Sequence, residues 1–200
     1  MKKFTKIAST CLPIETENID TDQIVPARFL KITTREGFGK YLFYDWRFDK
    51  NGKPKENKYF DYSNNRSIKI LVAGNNFGCG SSREHAVWAL QDFGFETIIS
   101  SSFGDIFYNN CLKNALLPVV LKPVELNKLF KILEKNSKTK ITIDLIDQEV
   151  IVGDNYIFSF PIDNFRKTCL LKGVDELGYI FSHEKNISAF ERRHQIFISR

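Results

Sequence analysis

Between Ile68 and Leu133 the chain passes three times from a short apolar run to an apolar stripe of helical period. Ile68-Lys69-Ile70-Leu71-Val72-Ala73 is β-branched and closes at Gly74, so it reads as a buried strand. Ala86, Ala89, Leu90 and Phe93 then fall at i, i+3, i+4 and i+7, a helical face that ends at Gly94. Thr97–Ser100 reads as the next strand, and Phe103, Ile106, Phe107 and Asn110 open a second helix. Pro118–Leu121 forms a third strand, and Leu126, Leu129, Phe130 and Leu133 repeat the helical spacing. A strand that reaches its neighbour through a helix returns in the same direction. This order therefore predicts a layered α/β fold with parallel strand pairs.

The flanks differ. Lys140–Leu145 and Glu149–Val152 surround Asp147-Gln148 as a β-hairpin, which Tyr156–Phe160 extends. Helices near Pro161–Leu171 and Ser188–Phe197 close the chain. The first sixty residues give a strand near Phe4–Thr10, a polar loop and a turn at Asn51-Gly52-Lys53-Pro54. With 200 residues, no internal repeat and no long polar linker, the expectation is one domain spanning residues 1–200. Its sheet is expected to be mixed, with the hairpin and helices at the C-terminal end.

Composition narrows the class. A 42% hydrophobic and 26% charged chain is ordinary for a globular domain, and no apolar run approaches the roughly 18–20 residues of a membrane span. In the opening MKKFTKIASTC, Thr5, Lys6, Ser9 and Thr10 interrupt any export signal, which points to the cytoplasm and away from membrane partners. The cysteines Cys11, Cys79, Cys111 and Cys169 contain no C-x-x-C pair, so the spacing makes no zinc or iron–sulfur ligand set. Net charge is +5, with lysines and arginines scattered and no aromatic-basic stripe to bind nucleic acid; the balance also suits a small polyanion.

The stretch Asn75–Ala86, NNFGCGSSREHA, lies where the first of those strands turns into its helix. Unpaired backbone N–H groups and the positive end of the helix dipole collect there and accept negative charge. Gly78 and Gly80 let backbone approach a ligand or take positive φ, and Arg83 offers a planar fork for a carboxylate. Alternatively Ser82 is only a helix cap, with Glu84 and His85 in a solvated first turn. Two glycines, two serines and an arginine on one strand-to-helix turn favour a ligand site. The stretch is neither a phosphate-binding P-loop nor a G-x-S-x-G nucleophile elbow. Cys79 reads as a small residue filling a tight loop or as a site residue.

Four segments in order carry a resemblance over nearly the whole chain: NIDTDQIVPARFL from Asn18, GFGKYLFYDWRF from Gly37, NNFGCGSSREHAVWAL from Asn75 and SFGDIFYNNCLKNALLPV from Ser102. FPIDNFRKTCLLKGVDELG from Phe160 matches more loosely. On these the chain resembles the small-subunit family of 3-isopropylmalate dehydratases, within the aconitase family. The resemblance implies a β/β/α layered swivelling domain that binds no metal itself. By the same resemblance it is expected to pair as a heterodimer with a large subunit carrying a 4Fe–4S cluster. It also implies a hydro-lyase acting on a small dicarboxylate in leucine biosynthesis: water leaves 2-isopropylmalate and returns to the neighbouring carbon.

By the same resemblance Ser81 is the catalytic base, and Ser82 and Arg83 contact substrate carboxylates. Asp22 is an acidic site residue with Thr21 beside it; the alternative for both is an Asx-type turn. The loop Lys31–Phe38, with Lys31, Ile32, Thr33, Thr34 and Arg35, is expected to set specificity by accepting an isopropyl group where aconitase binds a third carboxylate through arginine. Diacids of the citraconate, 2-methylmalate or homoaconitate type remain open as substrates. Gly104 stands where the family often has alanine, a difference expected to loosen a helix start without touching the chemistry.

Overall fold

The computed structural model describes residues 1–57, 59–60, 68–80 and 83–194. Strands β1 (Lys6–Ser9), β6 (Ile141–Asp144), β7 (Glu149–Val152) and β8 (Tyr156–Ser159) form one sheet in the order β1-β6-β7-β8, antiparallel throughout. Strands β2 (Cys11–Ile14), β3 (Ile70–Ala73), β4 (Thr97–Ser100) and β5 (Leu117–Val120) form a second in the order β2-β3-β4-β5, parallel throughout.

The expected mixed sheet is therefore corrected to two sheets, one antiparallel and one parallel. The apparent strand over Phe4–Thr10 explains the difference: β1 and β2 are separated by Thr10 alone, and the chain leaves one sheet for the other there. Downstream, connections decide the sense. The crossovers through α3 (Glu84–Phe93) and α4 (Asp105–Lys113) return parallel strands, while the tight turns after β6 and β7 return antiparallel ones. Pro13 and Pro118, which cannot donate to a ladder, both lie on the edge strands of the parallel sheet.

The two inner parallel strands are buried on both faces, and β3 (Ile-Leu-Val-Ala) is continuously apolar in keeping with that. Ile70, Val72, Ile99, Leu117 and Val119 share one core with Ile141, Ile143, Val150 and Val152 of the antiparallel sheet. Leu126, Leu129 and Leu133 of α5 (Pro123–Lys135) join the same core. Leu71, Ala73 and Ile98 belong to the other core, with Ala86, Val87, Ala89 and Leu90 of α3. The parallel sheet thus lies between the antiparallel sheet and a helical layer, the expected β/β/α arrangement. Each fully buried Leu, Ile or Val contributes about 1.5–3 kcal/mol, so these two cores fix the ends of β3 and β4 firmly.

The first sixty residues hold more structure than a polar loop. Helices α1 (Thr21–Ile24) and α2 (Tyr44–Arg47) and two 3-10 turns insert Ile19, Ile24, Phe38, Leu42 and Phe43 into the helical-side core. At the other end, α6 (Asn164–Lys172) matches the expected helix. The helix expected at Ser188–Phe197 starts earlier, as α8 (Glu184–Arg193), and residues 195–197 lie outside the described residues. An unexpected α7 (Glu176–Phe181) precedes it, capped by Asp175. No helix among the described residues is long and apolar enough to cross a membrane.

Candidate active site

The stretch after β3 is held on both sides by backbone. Toward the first segment, Asn18 N–H donates to the Asn75 carbonyl (2.8 Å), Gly78 N–H to Ile19 (2.7 Å) and Thr21 N–H to Cys79 (3.0 Å). Toward the fourth, Phe77 N–H donates to Ser102 (3.1 Å) and Gly104 N–H to Phe77 (3.0 Å). The turn thereby continues the parallel sheet by single bridges, Asp20 with Cys79 and Phe77 with Phe103. Three segments far apart in sequence meet beyond the C-terminal ends of β2, β3 and β4.

At two glycines of this turn an added Cβ would meet close neighbours. Gly78 takes φ +71°, and a Cβ there would lie 2.3 Å from Cγ of the buried Phe107. At Gly104, φ is ordinary, but a Cβ would lie 2.6 Å from the Gly78 carbonyl oxygen. Gly104 is therefore packed directly on the turn at Gly78.

Ser81 and Ser82 lie outside the described residues. The helix they precede starts at Glu84, and its N-cap is Arg83, which makes no side-chain cap bond. The Arg83 side chain is only 18% exposed and pairs through Nη1 with Oδ1 of Asp22, in α1. Asp22 thus supplies the guanidinium with an orienting partner, and the capping duty falls on Asp20. The Asp20 carboxylate accepts from Gln23 N–H (2.7 Å), and the Gln23 side chain accepts from Asp20 N–H (2.9 Å). Thr21 is buried in this turn, and a Cβ at Gly80 would lie 3.6 Å from its Oγ1.

The loop expected to set specificity is folded onto α3. His85 Nε2 lies 3.1 Å from the Ile32 carbonyl oxygen, and its ring packs on Trp88 and Phe38. Arg35 sends Nη2 to Glu84 Oε1 (3.3 Å) and lays its guanidinium over the Trp88 ring, 4.6 Å from the centroid. The Gly37 and Gly39 amides donate to Asp92 (3.2 and 2.7 Å). Lys31, Thr33 and Thr34 are exposed. Glu84 and His85 are thus engaged in holding a loop, which corrects the reading of a merely solvated first turn.

Beside Arg83 lies a cavity of about 490 Å³ lined by Leu30, Arg83, Glu84, His85, Trp88 and Asn110. It joins one cationic fork to the apolar surfaces of Leu30 and Trp88, a mixture suited to a small acid with an alkyl group. Cys79 is partly buried, and burial followed by the nearby Asp20 charge raises its thiol pKa. That favours the small-filler reading over a reactive thiolate. Cys11, Cys111 and Cys169 are buried, and no group of three or more His, Cys, Asp or Glu among the described residues could hold a metal ion.

A family profile for the aconitase C-terminal domain matches residues 1–124. A 3-isopropylmalate dehydratase small subunit from Christiangramia forsetii is 50% identical over 194 residues, covering 96% of this chain and 94% of its own. One from Geobacillus kaustophilus is 48% identical, covering 97% and 98%. The chain belongs to the 3-isopropylmalate dehydratase small-subunit family. This aconitase-related family consists of hydro-lyase subunits, so membership makes the chain part of a lyase. A crystal structure of a 3-isopropylmalate dehydratase from Methanocaldococcus jannaschii aligns with TM-score 0.66 and 24% identity, over 92% of this chain and 98% of that one. That likeness bears on the fold alone, and it agrees with the two-sheet layering.

For this family member, sequence reasoning left out Asp20, Trp88 and Asn114, and gave Glu84 and His85 no role. The Asp20 cap had a readable signal, D-x-x-Q before an apolar residue. The Glu84 contacts had none, because Arg35 and Asn114 lie 49 and 30 residues away along the chain.

Proposed function

We propose that residues 1–200 act as one swivelling domain. In that reading it supplies the proton-transfer and carboxylate-binding half of an enzyme interconverting 2-isopropylmalate and 3-isopropylmalate. The observation that carries this reading is the Arg83 guanidinium. It is fixed by Asp22, lines the cavity, and immediately follows the serine pair.

In the forward direction Ser81, as the alkoxide, removes a proton from the carbon beside a carboxylate. The electron pair left on carbon forms the double bond as hydroxyl departs from the neighbouring carbon with a proton, as water. The reverse addition places hydroxyl on the other carbon. A serine base carries negative charge before it acts, and the N-terminal end of the ten-residue α3 with adjacent Arg83 favours that charge. Ser82 and Arg83 bind substrate carboxylate, Asp22 holds Arg83 in orientation, and Thr21 supports the turn beside Gly80. The described cysteines assemble no cluster site, so in this reading the 4Fe–4S cluster belongs to a cluster-bearing large subunit, where it supplies Lewis acidity toward the departing hydroxyl. The pair works as a cytoplasmic heterodimer on dicarboxylates, without nucleic-acid or membrane partners.

The test is an anaerobic assay of this chain alone, with its large subunit, and as Ser81→Ala with that subunit. Positioned proton transfer is typically worth about 10²–10⁴ in rate, so the variant should lose that much in kcat while still forming the complex. Turnover by the chain alone would overturn the split-enzyme reading. A partnered enzyme preferring citramalate would keep the mechanism and replace the substrate.

A further inference from the structure

Among the described residues, Arg83 lines the cavity and Arg35 borders it. Arg35 is 62% exposed and is drawn off by two of the cavity's own walls, Glu84 through its carboxylate and Trp88 through its ring. The same Glu84 Oε1 also accepts from Asn114 Nδ2 (2.9 Å). Asn114 caps α4, the helix that brings Asn110 to the cavity, and its Nδ2 also donates to the Asn110 carbonyl (2.9 Å). Glu84 therefore ties together the loop carrying Arg35, the helix start carrying Arg83 and the helix end beside Asn110. Glu84 thus compensates the Arg35 charge and, with Trp88, fixes Arg35 at the rim, whereas Arg83, although paired with Asp22, lines the cavity itself.

We propose that Glu84 is a specificity-determining positioning residue. By holding Arg35 against α3, it leaves the cavity beside Arg83 to an alkyl group and denies a third substrate carboxylate its cation. The inference rests on the proposed dicarboxylate chemistry. It does not require Glu84 to touch substrate: the residue acts through Arg35. Released from Glu84, Arg35 remains on the rim and becomes available to an additional carboxylate, and a charge-assisted contact of that kind changes affinity by about tenfold to a hundredfold.

The experiment uses the assembled complex with its large subunit. Competitive inhibition against 2-isopropylmalate is measured for two dead-end acids, tricarballylate and isopropylsuccinate. Glu84→Gln keeps an oxygen for Asn114 while removing the charge that holds Arg35. It should shift the inhibition ratio toward tricarballylate by about tenfold or more, and Glu84→Gln combined with Arg35→Ala should return it to the wild-type value. A loosened loop would weaken both inhibitors and would not be rescued by removing an arginine. An unchanged ratio in Glu84→Gln, or a raised ratio that persists in the double variant, would overturn the proposal. If the wild-type complex turns over no 2-isopropylmalate, the functional reading itself fails, and this inference with it.

Discussion

Three glycines around the serine turn separate backbone strain from lack of space. At Gly78 both operate. Alanine there must hold φ +71°, which costs an L-residue roughly 1–2 kcal/mol, and its Cβ would lie 2.3, 2.5 and 2.8 Å from Cγ, Cδ1 and Cβ of Phe107. Those atoms are the root of a buried ring on α4, so relief requires moving the helix, and overpacking of this kind costs about 1–3 kcal/mol. The sum for Gly78→Ala is about 2–5 kcal/mol. Gly80 has φ +93° but its nearest neighbour would be 3.6 Å away, so Gly80→Ala should cost only the strain, about 1–2 kcal/mol. Gly104 has φ −61° and no strain, but its Cβ would press on the Gly78 carbonyl at 2.6 Å, giving about 1–3 kcal/mol. Denaturant titration of the three variants, with thermal midpoints falling about 2–4 °C per kcal/mol for a chain of this size, would rank them. The expected order is Gly78 worst, then Gly104, then Gly80. Equal losses at Gly78 and Gly80 would refute the packing argument, because the two differ chiefly in what a methyl group meets.

Asp144 lets pH test the hairpin between β6 and β7. Burial pushes its pKa up, but Lys6 Nζ at 3.0 Å and the amides of Ile146 and Asp147 outweigh that and hold it below the ordinary 3.8. A carboxylate lowered on folding stabilises above its unfolded pKa and loses that contribution as pH falls through the folded value. Asp144→Asn should therefore cost about 0.5–1 kcal/mol near pH 7, with the gap to wild type closing below pH ~4; a gap that widens on acidification would contradict the assignment. Burial also pushes the Cys11 thiol up to about 12 and the Cys111 thiol well above its ordinary range. Timed alkylation at pH 8 should leave both intact in the folded chain and label all four cysteines after denaturation. Rapid labelling of native Cys11 would show that its strand is not packed as described.

The helical and parallel half of the fold was legible because its signals are local. Each strand from β3 to β5 is a short apolar run bounded by polar or breaker residues, and the stripes on α3 and α5 repeat within a few turns. The division into two sheets was not legible, because it depends on a single residue, Thr10, at which the chain passes from one sheet to the other. Only pairing distinguishes them: β1 with β6 more than a hundred residues later, and β2 with β3 across the whole inserted segment. That segment was unreadable for a related reason. Helices of four residues, such as α1 and α2, are too short to show a period, and the core positions of Phe38, Leu42 and Phe43 come from 3-10 turns and positive-φ geometry instead.

At the site, sequence indicated which residue types gather but not which partners hold them. Arg83 was legible from its place after a strand and beside two serines. Its pairing with Asp22, 61 residues earlier, could enter only through the resemblance. Arg35 shows the limit most clearly. An arginine in a substrate loop is compatible with holding a carboxylate and with being held by one, and the two uses imply opposite specificities. The deciding partner, Glu84, sits next to Arg83 in sequence, so one helix turn presents a cation toward the cavity and an anion that withdraws a second cation from it. Adjacent residues on a helix lie about 100° apart, so neither charge need cancel the other while both act at one rim. Selectivity between a diacid and a triacid would then rest on the order Arg-Glu at the start of α3 and on a loop whose sequence does not say which way Arg35 turns.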